Sequence, residues 1–165
     1  MSGDHQPSPR LNGELMSEPV LVSACLLGLP TRYDGSANRC DAILNHLLRH
    51  NLTAIPICPE QLAGLPTPRD KTFFVRGDGE SMLDGSGSMR DEKDNEMGAI
   101  FLRGADLALQ IAQLNNCKLA ILKQRSPSCG CGTVYCGRQK VAGMGVTAAL
   151  LARHNIRILT EEDFD

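Results

Sequence analysis

Cys25, Cys58 and Cys129 each stand at or just past the end of a short β-prone run: Val20–Cys25, Leu52–Ile57 and Lys118–Lys123. Three thiolates brought together without an obvious fourth partner suit a metal site with an open position. Iron–sulfur clusters are held by Cys thiolates, and a cluster on three of them leaves one iron free for substrate. Such an iron can act as a Lewis acid. The third cysteine lies in Ser126-Pro127-Ser128-Cys129-Gly130-Cys131-Gly132. Its proline and glycines fix the loop and let backbone come close to a bulky ligand. The competing reading of any one of these cysteines is a small buried residue, since free Cys is among the most buried types.

The other cysteines read differently. Cys117 precedes the third run, at the opposite end of a sheet, and Cys40 lies near a helix start; both are expected to pack. Cys129-x-Cys131-x4-Cys136 is a candidate local metal clip, although its spacing departs from the Cys-x2-Cys of zinc sites. Cys131 is the candidate fourth ligand or labile thiol. The chain has no zinc-protease helix motif, Walker loop or dinucleotide glycine fingerprint. Ser126 and Ser128 lack the Gly-x-Ser-x-Gly context of a nucleophile elbow, so by themselves they read as turn formers.

The elements that must position these residues follow from periodicity. Asn38 is expected to cap a helix from about 39 to 50, with Ile43, Leu44, Leu47 and Leu48 at helical spacing. Residues 73–84 suggest a hairpin around Gly77-Asp78-Gly79, and 85–89 a flexible link. Apolar residues from Met97 to Ala112 recur at helical spacing within 94–115, the longest helix. A further helix is expected over 145–154 and a last strand at Ile156–Leu159. Residues 1–17 are polar and aperiodic and are expected to form a disordered tail, with Met16 as an alternative start; 18–165 is then one domain. Strands alternating with helices predict an α/β fold, a three-layer Rossmann-like single domain with a mainly parallel sheet. In such a sheet all strand carboxyl ends lie along one edge, where ligands bind. The three thiols therefore converge.

Composition narrows the classes. At 165 residues the chain can bury a core without staples. Aromatics are only 4% with no Trp, which argues against a stacking platform for single strands. A formal net charge of -2 gives no general pull toward nucleic acid or anionic membrane. No apolar run is long enough to span a bilayer and no secretory signal is evident, so the expected location is cytoplasmic. In a reducing compartment seven thiols are more naturally ligands, catalytic groups or core residues than disulfides.

Four motifs, taken in order, resemble the thiouracil desulfidase family. They are Ser23-Ala-Cys25-Leu-Leu-Gly28 with Arg32-Tyr-Asp-Gly35; Cys58-Pro-Glu60 through Arg69; Leu122-Lys123 with Ser126-Pro-Ser-Cys129-Gly130; and Gly143-Met-Gly145-Val-Thr147. The resemblance spans about residues 19–160. It implies a 4Fe–4S cluster on Cys25, Cys58 and Cys129 with one iron not ligated by protein. It also implies hydrolytic, non-redox removal of sulfur from a thiolated pyrimidine such as 2-thiouracil, with release of hydrosulfide. A carboxylate must take the proton of the attacking water; Glu60 is the first choice and Asp34 the second. Ser126 and Ser128 are expected to bond the base or the cluster sulfurs, and Lys123 and Arg69 to stabilise developing negative charge. Tyr33 and Arg69 are expected at the substrate. The implied partner is a small thiolated base or nucleoside, with nucleic acid less favoured.

The chain departs from the family pattern at Tyr135-Cys136-Gly137 and at Gln124-Arg125, where acidic residues would stand. Two other readings stay open on the residues alone. One is a non-catalytic iron–sulfur or sulfur carrier using the same three thiols. The other is a zinc-binding module on Cys129, Cys131 and Cys136.

Overall fold

The computed structural model describes residues 10–11 and 14–164. Of the tail expected over 1–17, residues 1–9 and 12–13 lie outside the described residues. Arg10–Leu11 (β1) and Glu14–Leu15 (β2) pair as a short antiparallel ladder.

The central sheet has four parallel strands in the order β10-β7-β3-β4: Arg157–Thr160, Leu119–Leu122, Glu18–Ser23 and Leu52–Ile57. The expected α/β domain with a mainly parallel sheet is what forms. Alternate residues of these strands face two separate cores. Val20, Val22 and Ile121 pack against Ile43 and Leu47 of α1, Asp41–Arg49. Leu21, Ala120 and Leu122 pack against Ala108, Leu109 and Ala112 of α4 (Gly98–Leu114) and Ala148 and Leu151 of α5 (Val146–Arg153). Both faces are therefore apolar, as a buried parallel sheet requires.

The chain runs from β3 through α1 to β4 on one side, then through α5 from β7 to β10 on the other. Strand order thus reverses between β3 and β7. In open α/β sheets the crevice outside the carboxyl ends at such a point takes the ligand.

A second sheet, in the order β6-β5-β8-β9, consists of Ser88–Asp91, Thr72–Arg76, Cys131–Cys136 and Gln139–Met144. It is mixed: β5 runs parallel to β8, while the outer pairs are antiparallel. Phe74, Met89 and Val134 on its inner side meet Phe101 and Ala105 of α4.

Several local expectations are corrected. The first helix begins at Asp41 with Cys40, not Asn38, at the cap position, and no side chain caps it. No hairpin turns at 77–79. Asp78 instead caps a short helix α3 (Gly79–Leu83) by accepting from the Ser81 amide, and its other oxygen accepts from the Met144 amide at 3.0 Å. One carboxylate thus joins the excursion to β9. The link expected over 85–89 ends in strand, with Met89 fully buried. The β8–β9 hairpin is an element that periodicity does not predict. It turns at Gly137-Arg138, where Gly137 adopts φ 59, a left-handed value that glycine takes without penalty. Among the described residues no helix is long and apolar enough to cross a membrane.

Candidate active site

The three cysteines leave the carboxyl edge of the central sheet from three adjacent strands. Cys25 lies in a 3-10 turn, Ala24–Leu27, directly after β3, and its carbonyl accepts from the amides of Gly28 and Asn38. Cys58 follows β4 and opens α2 (Pro59–Leu62), a single helical turn started by proline at its first position. Cys129 follows β7 within the serine–proline loop. All seven cysteines are free.

The loop that carries Cys129 is held from within and by the start of α5. Ser126 Oγ accepts from the amides of Ser128 and Cys129, at 3.2 and 3.1 Å. The amides that open α5 all find carbonyls in this loop: Gly145 to Gly130 (2.7 Å), Val146 to Pro127 (2.9 Å), and Thr147 and Ala148 to Ser128 (2.9 and 3.1 Å). The first-turn amides of a helix have no partner within it, and here the cysteine loop supplies them. Contact is so close that a Cβ on Gly145 would lie 2.4 Å from the Ser128 carbonyl carbon and 2.7 Å from the Cys129 nitrogen. Gly145→Ala is therefore expected to destabilise the protein by about 1–3 kcal/mol, because backbone rather than a flexible side chain must give way. A thermal melt showing an unchanged midpoint would disprove this clamp.

Burial governs the thiols. It pushes Cys25 up to about 11, with Lys123 and Arg32 pulling it down and Cys58 raising it. Burial also raises Cys58, against hydrogen bonds from the backbone of its helical turn. Cys129, the most buried, is raised furthest; a hydrogen bond with Ser23 opposes this, while Cys58, Cys25 and Glu60 add to it. The three thiols thus act on one another across a common space. Without a cation among them they keep their protons at neutral pH, and a cation that binds them must displace those protons.

Glu60 projects into the same space from the first turn of α2. Its Oε2 accepts from Ser128 Oγ at 3.4 Å, and its Oε1 accepts from Arg69 Nε at 3.0 Å. The Arg69 side chain is only 6% exposed and that of Glu60 14%. The remaining donors of Arg69 reach the Thr67 hydroxyl (2.8 Å), the carbonyls of Thr31 (2.9 Å) and Pro66 (3.3 Å), and the edge of Cys58 Sγ (3.9 Å). Arg69 therefore ties the Cys58 turn to the segment after Cys25 and fixes the carboxylate. Tyr33 lies on that segment, its carbonyl accepting from the Arg69 amide at 2.7 Å and its ring flanked by Lys71 Nζ at 4.9 Å.

Asp34 sits elsewhere. It is in an exposed turn, its carboxylate taken by the hydroxyl and amide of Ser36, which hold it below the usual carboxylate range. Lys123 Nζ meets Glu161 Oε1 at 2.7 Å, and its amide donates to Ser23 Oγ at 2.9 Å.

The candidate clip Cys129-x-Cys131-x4-Cys136 is not assembled. Cys131 and Cys136 are the two ends of β8, five residues apart and so roughly 16 Å at strand rise. Cys136 Sγ points to the Val75 carbonyl, and the charge that acts on Cys131 is Asp163. Cys117 is buried in the core, and Cys40 packs partly buried beside α1.

Three residues at the site carry no signal that sequence reasoning assigns to it: Ser23, Gln124 and Glu161. Ser23 belongs to the first motif, but its place in a β-prone run reads as strand alone. Gln124 bonds both backbone groups of Cys131, Oε1 accepting at 2.8 Å and Nε2 donating at 2.7 Å. The available signal for Glu161 is its position just after the last strand, on the same edge as the cysteines.

Among the described residues no group of three or more His, Cys, Asp and Glu forms a site for a single metal ion. Three free thiols at the sheet edge are the donor type that iron–sulfur clusters take. The buried Thr147 hydroxyl, which has no partner among the described residues, stands beside this loop. Such a fold and site define a class: an α/β protein whose sheet edge offers a three-thiol cradle with a fixed carboxylate. Residues 20–163 match the family model described as 2-thiouracil desulfurase. A Bacillus subtilis (strain 168) protein, the uncharacterized YbbK, is 36% identical over 149 residues, covering 88% of this chain and 97% of its own. The solved structure of the 4Fe–4S-dependent thiouracil desulfidase TudS (DUF523Vcz) superposes with a TM-score of 0.75 at 38% identity, over 89% of this chain and 93% of that one. This chain belongs to the 2-thiouracil desulfurase family.

Proposed function

We propose that this protein hydrolyses the carbon–sulfur bond of a small thiolated pyrimidine, 2-thiouracil or a close relative, using a 4Fe–4S cluster held by Cys25, Cys58 and Cys129. The observation that carries the reading is the placement of Glu60, bonded to Ser128 and Arg69 beside three interacting thiols. A carrier needs the thiols but no fixed carboxylate.

When bound, the cluster supplies an iron without a protein ligand, a Lewis acid for the thiocarbonyl. The reaction exchanges sulfur for the oxygen of water, with no net oxidation or reduction: a carbon–oxygen bond forms, the carbon–sulfur bond breaks and sulfur leaves as hydrosulfide. Glu60 takes the proton of the attacking water as general base. Arg69 and Ser128 hold its two oxygens, so the carboxylate keeps one orientation. Lys123 is the cation nearest in effect to Cys25 and offsets negative charge gathered at the cradle. Tyr33, whose carbonyl accepts from the Arg69 amide, is the residue assigned to the substrate on that side. Ser126 shapes the loop through its two accepted amides. Asp34, engaged by Ser36 in its exposed turn, has no part in the proton transfer.

The test is protein purified without oxygen. Iron and acid-labile sulfide near four each per chain, with hydrosulfide and uracil formed in equal amounts from 2-thiouracil, are the expected results. A full cluster with no hydrosulfide from any thiolated pyrimidine would favour the carrier. Absence of iron would end the cluster reading.

A further inference from the structure

We infer that Glu161 is a positioning residue for the thiol cradle: it fixes the Lys123 ammonium at the exit of β7 and, through Gln124, braces the loop that carries Cys129. This rests on the cluster reading above and adds to it a residue just past the fourth strand of the sheet.

Glu161 follows β10 immediately, at the same edge as the three cysteines. Its two oxygens are divided between adjacent residues of the β7 exit. Oε1 accepts from Lys123 Nζ at 2.7 Å and Oε2 from the Gln124 amide at 2.8 Å. The Lys123 and Glu161 side chains are 13% and 14% exposed, so the pair is largely out of water and its geometry is set by packing. Lys123 Nζ also donates to the Gln124 carbonyl at 3.0 Å, which closes the unit on itself.

From this unit two connections reach the cysteines. The Lys123 amide donates to Ser23 Oγ at 2.9 Å, at the last residue of β3 and two positions before Cys25. The Gln124 side chain pairs with both the amide and the carbonyl of Cys131, spanning 124 to 131 as a strand neighbour would. Cys129 sits inside the span so closed. The turn holding Glu161 is itself fixed, since Thr160 and Asp163 cap each other in a reciprocal box. A carboxylate thus neutralises and aims the one lysine at the β7 exit, while its second oxygen anchors the start of the ligand loop.

The experiment compares four anaerobically loaded proteins: wild type, Glu161→Gln, Lys123→Met and the double variant, with Lys123→Arg as the conservative control. Iron per chain and the reduction potential of the bound cluster are read alongside turnover. In Glu161→Gln the side-chain amide oxygen still accepts from the Gln124 amide, so the change removes the charge and the bond to Lys123 while keeping the anchor of the loop. Loss of a nearby negative charge favours the reduced cluster, and loss of a positive charge disfavours it. The expected result is a potential raised in Glu161→Gln, lowered in Lys123→Met, and near wild type in the double variant and in Lys123→Arg. Shifts of the same sign, or none, with iron retained would overturn the inference. If Glu161→Gln fails to hold iron, the double variant decides: recovered loading supports a charge-positioning role, and continued loss leaves only a structural one and overturns it. Wild type without iron would instead overturn the cluster reading itself.

Discussion

Glu60→Gln is expected to lower desulfuration by about 10²–10⁴-fold, the range for loss of a general base, with iron content unchanged. Chemistry and stability must be separated here, because Glu60 is also the partner of a buried arginine. Removing one member of a buried pair costs about 3–5 kcal/mol when nothing else satisfies the other. Arg69 keeps the Thr67 hydroxyl and the Thr31 and Pro66 carbonyls, and the carboxamide of the variant still offers an oxygen to its Nε. The cost should therefore fall below that range. Iron per chain and the melting midpoint, measured with kcat, make the distinction. A fall in turnover with full iron identifies the base. Turnover within a few-fold of wild type would remove Glu60 from the chemistry.

Cys25→Ala, Cys58→Ala and Cys129→Ala are each expected to lose most of the iron and essentially all turnover, whereas Cys131→Ala and Cys136→Ala retain both. The first three cysteines follow three adjacent strands at one edge of the sheet. Cys131 and Cys136 lie at opposite ends of β8, and Cys136 Sγ points to the Val75 carbonyl. Ligand removal also withdraws the stabilisation that a tightly bound group confers on the folded state alone. Melting midpoints of the loaded protein should accordingly fall in the first set and hold in the second. Iron lost on removing Cys131 would restore it as a fourth ligand, and iron retained without Cys25 would disqualify the three-thiol cradle.

The carboxyl edge is legible in the sequence because its determinants are local. Val20–Cys25, Leu52–Ile57 and Lys118–Lys123 are β-prone runs broken by proline or glycine, and parallel pairing places their ends together whatever the details. Helical spacing likewise discloses α1, α4 and α5. The hairpin of β8 and β9 is not legible, because Gly132, Gly137 and Gly143 interrupt its alternation and its strands are stabilised by Phe74 and Met89 from a distant segment.

The chain's sequence alone determined which residues are apolar at which period, and hence an α/β domain with three thiols at one edge and a carboxylate two positions after one of them. Only tertiary structure decided which carboxylate meets the loop of Cys129 and which stays in its own turn. Glu60 meets Ser128 across 68 positions and Lys123 meets Glu161 across 38, while Asp34 turns back on Ser36. Pairings of that range depend on strand order and helix packing, which add no periodic or local signal at the residues themselves. A hydrogen bond two residues away can be read along the chain; one across the sheet edge exists only once the edge has formed.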